Sequence, residues 1–171
     1  MLRQALATRI LVLDGATGTA LQNESLSAED FGGADYEGCN ENLCLIRPDV
    51  VERLHAGYLE AGADVVETDS FGATPLVLGE YDLAEQAFEI NRRAAEIARA
   101  ACARYSSAEK PRFVCGSMGP TTKAISVTGG ITFAELIEHF RVQALGLMAG
   151  GADYLLLETC QDTRNVKAGL T

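Results

Sequence analysis

Gly151-Ala152-Asp153-Tyr154-Leu155-Leu156-Leu157-Glu158-Thr159 is the stretch that decides the fold. Four large residues, Tyr154 to Leu157, follow one another without alternation. A strand buried on both faces, in a parallel sheet covered by helices, reads this way. The run ends on a carboxylate, Glu158, then Thr159, Cys160, Gln161 and Asp162. The carboxyl ends of parallel strands are where α/β folds place their chemistry. Two readings of Glu158 follow: a member of a site, or a cap or ion-pair partner for the next helix. The phrase recurs earlier as Gly62-Ala63-Asp64-Val65-Val66-Glu67-Thr68-Asp69-Ser70-Phe71. Both copies follow an amphipathic helix and place Gly-Ala-Asp at the helix-to-strand turn, where glycine supplies the left-handed conformation that stops a helix. The chain is therefore built from similar βα units.

Working outward, Ile10-Leu11-Val12-Leu13 is a short apolar strand that ends on Asp14-Gly15-Ala16-Thr17-Gly18-Thr19. Asp14 thus stands at a strand tip, as Glu158 does. The glycines allow close backbone approach to a ligand, but the stretch has neither the lysine of a P-loop nor the GxGxxG spacing. Residues 20–42 form a long polar connection, a length typical of a lid, a binding loop or a disordered segment. Pro48 opens a helix with Val50, Val51, Leu54, Tyr58 and Leu59 on its apolar face. His55 beside that face reads as packed or solvated. The next strand is 65–68, followed by a polar loop through Pro75. Apolar spacing predicts a helix over about 83–104. A third strand, 112–115, leads into a flexible Gly116-Ser117-Met118-Gly119-Pro120-Thr121-Thr122 stretch. Thr132-Phe133-Ala134-Glu135 is a capping box that starts the next helix, where His139 reads as solvated. Asp162 opens a final helix.

The apolar share is 47% and the net charge −10, so the chain can bury a core and disfavours nucleic acid or anionic membrane as a partner. No stretch is apolar enough to span a membrane. The amino terminus lacks a signal-peptide pattern, so the cytoplasm is the expected location. Cys39, Cys44, Cys102, Cys115 and Cys160 are odd in number and include no CxxC pair. That argues against a disulfide framework or a closed structural zinc site.

The order is β-α four times. An open doubly wound sheet and a (β/α)8 barrel both begin so, but four polar, glycine-rich strand ends fit the barrel, whose βα loops share one face. A complete barrel takes about 250 residues. The reading is therefore α/β, with residues 1–171 as the amino-terminal (βα)4 half of a TIM barrel. Unpaired outer strands and bared core would then favour self-association of the isolated segment.

Asp14-Gly15, Gly38-Cys39-Asn40-Glu41, His55 with Tyr58, Ala61-Gly62-Ala63-Asp64, Glu67-Thr68-Asp69-Ser70-Phe71-Gly72, Gly116-Ser117-Met118-Gly119-Pro120-Thr121, and Gly150-Gly151-Ala152-Asp153 with Glu158-Thr159 and Asp162 fall in one order. Together they resemble the homocysteine S-methyltransferase domain, over nearly the whole chain. The nearest subgroup is the amino-terminal module of cobalamin-dependent methionine synthases. The resemblance implies a (β/α)8 barrel that binds homocysteine and zinc at its carboxyl face and methylates the thiolate. Methylcobalamin and 5-methyltetrahydrofolate would act through other modules of a parent protein. It also implies that the zinc-holding cysteines lie beyond residue 171, so the segment carries no metal ligand or catalytic residue and is inactive alone. Glu158 and Asp14 would meet the substrate ammonium. Backbone at Gly15 and Ala16 and the Thr68 hydroxyl would lie by its amino-acid group, with Ser117 and Asp162 as further candidates. Ala16 stands where the family often has glycine, and Asp69 where the subgroup often has asparagine, adding a negative charge near the mouth. Two alternatives stand: betaine or S-methylmethionine as methyl donor, or a non-catalytic half barrel serving binding or assembly.

Overall fold

The computed structural model describes residues 1–171. The elements in chain order are α1 (Leu2–Thr8), α2 (Thr17–Gln22), α3 (Leu43–Ile46), α4 (Pro48–Ala61), β1 (Val65–Glu67), α5 (Pro75–Leu78), α6 (Ala87–Tyr105), β2 (Phe113–Met118), α7 (Phe133–Ala149), β3 (Tyr154–Leu157) and α8 (Thr163–Gly169). The three strands are parallel and lie in sequential order. Val65 pairs with Phe113, and Cys115 with Tyr154. Helices α4, α6, α7 and α8 pack each against the next. Sequential strands with successive helices side by side are how a barrel winds.

Three strand expectations change. The run Ile10–Leu13 makes one bridge, Leu13 to Val65, rather than a strand. It still lies along β1, because Asp64 and Val65 N–H donate to the Val12 carbonyl and Asp14 N–H to that of Val65. Ile10 and Val12 are exposed, so packing adds little to hold a longer ladder. β2 begins one residue later than expected and runs on through Gly116, Ser117 and Met118, which read as loop in the sequence. A Cβ at Gly116 would stand 2.8 Å from Leu155 and 3.2 Å from Leu147. The glycine there lets α7 press on the sheet rather than ending the strand. β3, expected to be buried on both faces, is the edge strand and is half-exposed along its length.

Side chains alternate across the sheet. Val66, Val114 and Met118 pack with Leu136, Phe140 and Leu147 of α7. Val65, Phe113 and Cys115 pack on the other face with Tyr154, Leu156 and Leu2 and Ala5 of α1. The same alternation carries Glu67, Ser117 and Glu158 to the carboxyl end of this second face.

The repeated Gly-Ala-Asp phrase works at the opposite end. Gly62 and Gly151 have φ of +111° and +96°. Asp64 N–H donates to the Val12 carbonyl while its carboxylate accepts from Val12 N–H. Asp153 does the same with Val114. Arg9 binds the carboxylate of Asp64, and Arg99 that of Asp153. Each copy thus clamps the start of the neighbouring chain segment and fixes strand register.

Residues 20–42 fold as part of α2 and three 3-10 turns, 28–31, 34–36 and 40–42. Leu21 and Phe31 pack with Leu43, Val50 and Val51, so the connection is an anchored layer. The helix expected from Leu83 starts with a 3-10 turn over 84–86 and is α-helical from Ala87. His55 is packed: fully buried, both ring nitrogens unpartnered, with burial pushing it down to about 4. His139 is half-buried rather than fully solvated. No helix is long and apolar enough to cross a membrane.

Candidate functional site

A cavity of about 260 Å³ opens at the carboxyl ends of the strands. Glu67 lines it at the end of β1, with Thr68, Asp69 and Phe71 just beyond, Ser117 from β2, and Glu158 after β3. Ala16, Thr17 and Gly18 close one side, and Asn40 and Glu41 another. No lysine, arginine or histidine lines it. Asp14 stands beside it, its Oδ1 accepting the Glu67 N–H at 2.8 Å and its Oδ2 buried without a partner.

Hydrogen bonds fix the strand tips against one another. Ser117 Oγ donates to Glu158 Oε1 at 2.5 Å. Ser117 N–H donates to Thr68 Oγ1 at 3.0 Å, Thr68 and Ser70 share a bond of 2.6 Å, and Ser70 Oγ donates to the Ser117 carbonyl. The backbone is strained on both sides: Ala16 has φ +54° and Thr159 φ +57°. Left-handed conformations at residues other than glycine cost free energy and gather at functional sites.

The carboxyls repel one another in a poorly solvated space. Burial, opposed by the Glu67 N–H and assisted by the charges of Glu67 and Glu158, pushes Asp14 up to about 7. Burial and then the Glu158 charge push Glu67 up to about 7 as well. Burial also raises Glu41, and burial followed by Glu41 raises Asp69. Such a cluster suits a cationic group that takes several carboxylate hydrogen bonds at once, which an ammonium does.

The sequence profile of the homocysteine S-methyltransferase family matches residues 11–171. The chain belongs to that family. It is 43% identical over 169 residues to the methionine synthases of Mycobacterium tuberculosis and Mycobacterium leprae. These matches cover 99% of the chain and 14% of each relative, so the chain spans about one seventh of their length. Two solved structures of the homocysteine methyltransferase MmuM from Escherichia coli superpose on it. The oxidized form does so with a TM-score of 0.79 at 26% identity, the metallated form with 0.80 at 25%. They cover 98% of this chain and 59% and 60% of theirs. The α/β fold is therefore that of the amino-terminal half of the barrel, with its first strand reduced to a single bridge.

Of the residues singled out in the sequence of this homocysteine S-methyltransferase family member, Ala16, Thr68, Ser117 and Glu158 line the cavity. Asp14 adjoins it through Glu67. Thr68 has its hydroxyl tied to Ser117 and Ser70, so it braces the site. Ser117 aims Glu158. The positive φ at Ala16 is a conformation that glycine adopts without strain. Gly15 is absent from the lining, and Asp162 is engaged elsewhere: its carboxylate accepts from Ser126 N–H, Ser126 Oγ and Arg164 N–H. Asp162 thereby caps α8 and pins the connection between β2 and α7. Glu67, Asn40, Glu41 and Phe71 stand within the motifs quoted from the sequence, which gives them no role in the site. The signal for Glu67 was present, since Glu-Thr ends both copies of the repeat.

The zinc ion that the family implies does not fit the residues here. No three His, Cys, Asp or Glu side chains gather in metal-holding geometry. Cys39, Cys44, Cys102 and Cys115 are buried, and burial pushes each thiol up and away from the thiolate a metal needs. Cys44 and Cys102 donate instead to the carbonyls of Asp69 and Phe113.

Proposed function

We propose that this cavity binds the amino-acid end of homocysteine, within a domain that transfers a methyl group to the homocysteine sulfur to give methionine. In that reaction the thiol loses its proton and a sulfur lone pair forms the new S–CH3 bond. The bond from methyl to donor breaks with its electron pair left on the donor. The donor is methylcobalamin or 5-methyltetrahydrofolate, carried by parts of a longer protein outside these 171 residues. The relatives' name, methionine synthase, and the small share of them that the chain spans support this over betaine or S-methylmethionine. Zinc comes from residues outside this chain, and the segment alone holds substrate without methylating it. The observation that carries the reading is that Glu67 and Glu158, from two strand tips, line one cavity without a cation, with Asp14 held beside it by the Glu67 N–H.

These residues have opposite consequences for folding and binding. Asp14 is held up at about 7 when folded, against about 4 in an unfolded chain. Between those values the folded state holds a proton that the unfolded state releases, so this group's contribution to stability rises as pH falls from 7 towards 4. Ammonium binding needs the ionised form, so affinity falls over the same window. An Asp14→Asn variant keeps the acceptor for Glu67 N–H and removes the ionisation. It is expected to be more stable than wild type at pH 8, by roughly 4 kcal/mol, with less than half of that gain left at pH 5. Urea denaturation of both proteins at the two pH values checks this, and a pH-independent difference refutes it. The same variant should bind homocysteine more weakly at pH 8 by calorimetric titration.

A second reading, assembly of half barrels, rests on the unpaired edge of β3 and the exposed Ile10, Val12 and Leu155. It gives self-association of the isolated segment in sedimentation equilibrium; a monodisperse monomer with cooperative melting removes it.

A further inference from the structure

Two groups of carboxyls stand in or beside the cavity. Asp14, Glu67 and Glu158 serve an ammonium; Asp69 and Glu41 are left unused by that assignment. An α-amino acid also brings a carboxylate, and nothing in the lining carries positive charge to receive it. Donors must therefore be neutral. The Ser117 hydroxyl is committed to Glu158, and the Thr68 hydroxyl lies within the bonds to Ser70 and Ser117.

Asp69 is differently placed. It lines the cavity yet is only 5% exposed, and its Oδ2 is buried with no hydrogen-bond partner in the chain. No basic group bonds to it. The titratable groups around it are Glu41, whose Oε1 accepts the Gly72 N–H at 2.6 Å, and the thiols of Cys39 and Cys44. Cys44 Sγ donates to the Asp69 backbone carbonyl, not to its side chain. A buried carboxylate with an unpaired oxygen beside another acid is costly. As a neutral acid the same side chain leaves only a carbonyl oxygen without a partner and gains an O–H donor.

Resting on the homocysteine reading above, we infer that Asp69 is a specificity-determining residue: its neutral carboxyl group donates the hydrogen bond that holds the substrate carboxylate. This replaces the expectation from the sequence that Asp69 adds a negative charge at the mouth. It also explains how a cavity crowded with acids accepts a ligand that carries one.

The test compares wild type, Asp69→Asn and Asp69→Ala by calorimetric titration at neutral pH with two ligands. One is L-homocysteine; the other is 3-aminopropane-1-thiol, which keeps the amine and thiol and lacks the carboxylate. Asp69→Asn retains a neutral donor and should bind homocysteine within about threefold of wild type, while Asp69→Ala loses on the order of tenfold or more. Neither substitution should move the affinity of the aminothiol. Infrared difference spectra of wild type against Asp69→Asn should show the C=O stretch of a neutral carboxylic acid. An ionised Asp69 at neutral pH, or equal weakening of both ligands by Asp69→Ala, overturns this inference alone. Failure of wild type to bind either compound removes the homocysteine reading, and this assignment with it.

Discussion

Replacing Glu158 with glutamine lowers the affinity for homocysteine by about 10- to 100-fold, the loss of one charge-assisted hydrogen bond to an ammonium. The substitution is conservative for the fold. Ser117 Oγ donates to Glu158 Oε1, and the glutamine carbonyl oxygen can accept the same bond. What changes is charge. Glu67, pushed up by burial and then by Glu158, loses one of the two influences that keep it protonated. It therefore ionises more readily in the variant and recovers part of the lost attraction. A Glu67→Gln/Glu158→Gln double variant should consequently lose more than the sum of the two single losses. Calorimetric titration of all four proteins at pH 6, below the raised Glu67 midpoint of about 7, reads this coupling directly. Equal affinity of wild type and Glu158→Gln removes Glu158 from the site.

Gly150→Ala should destabilise the fold by about 3 kcal/mol, a large part of the stability of a domain this size. Gly150 ends α7 where that helix meets α6. A Cβ there would stand 2.6 Å from the Ala95 Cβ, and the carbonyl oxygen of Arg92 would be closer still. Neither atom can swing aside, so the two helices must part. Gly146, one turn earlier, is the same kind of contact, with the Phe88 carbonyl oxygen 2.6 Å from its Cβ position. Gly57 in α4 is the control, having no atom within 4 Å of its Cβ position. Gly57→Ala should stabilise by about 0.5–1 kcal/mol through helix propensity alone. Urea unfolding of both variants with unchanged slopes tests the pair, and similar effects of the two substitutions would contradict it.

The repeat Gly-Ala-Asp with Glu-Thr at the strand tip was legible because both copies solve one packing problem. A glycine stops the helix, an aspartate clamps the adjoining segment, and a carboxylate emerges at the far end. Strand periodicity placed Asp14 and Glu158 at tips, and the structure sets Glu158 in the cavity wall and Asp14 beside it, behind Glu67. What sequence alone could not supply was pairing. Ile10–Leu13 has the composition of a strand, yet only Leu13 bridges, since a ladder depends on partners outside the segment. Gly116-Ser117-Met118 reads as loop by composition and continues β2, because the glycine answers to Leu147 and Leu155, distant in the chain. Asp162 illustrates the converse. Its position in the order of motifs suggested the site, while its hydrogen bonds to Ser126 and Arg164 make it a cap. Asp69 needed burial to be understood, a property of its surroundings rather than of its neighbours in sequence.

The most direct measurement follows the side-chain carboxyl carbons of Asp14 and Glu67 by NMR across pH, with and without saturating homocysteine. In the free chain both should titrate near 7. With homocysteine bound, both midpoints should fall by at least about one unit, since a bound ammonium favours the charged forms. Midpoints near 4 in the free chain, or midpoints unmoved by homocysteine, would contradict a shared ammonium site at the strand tips.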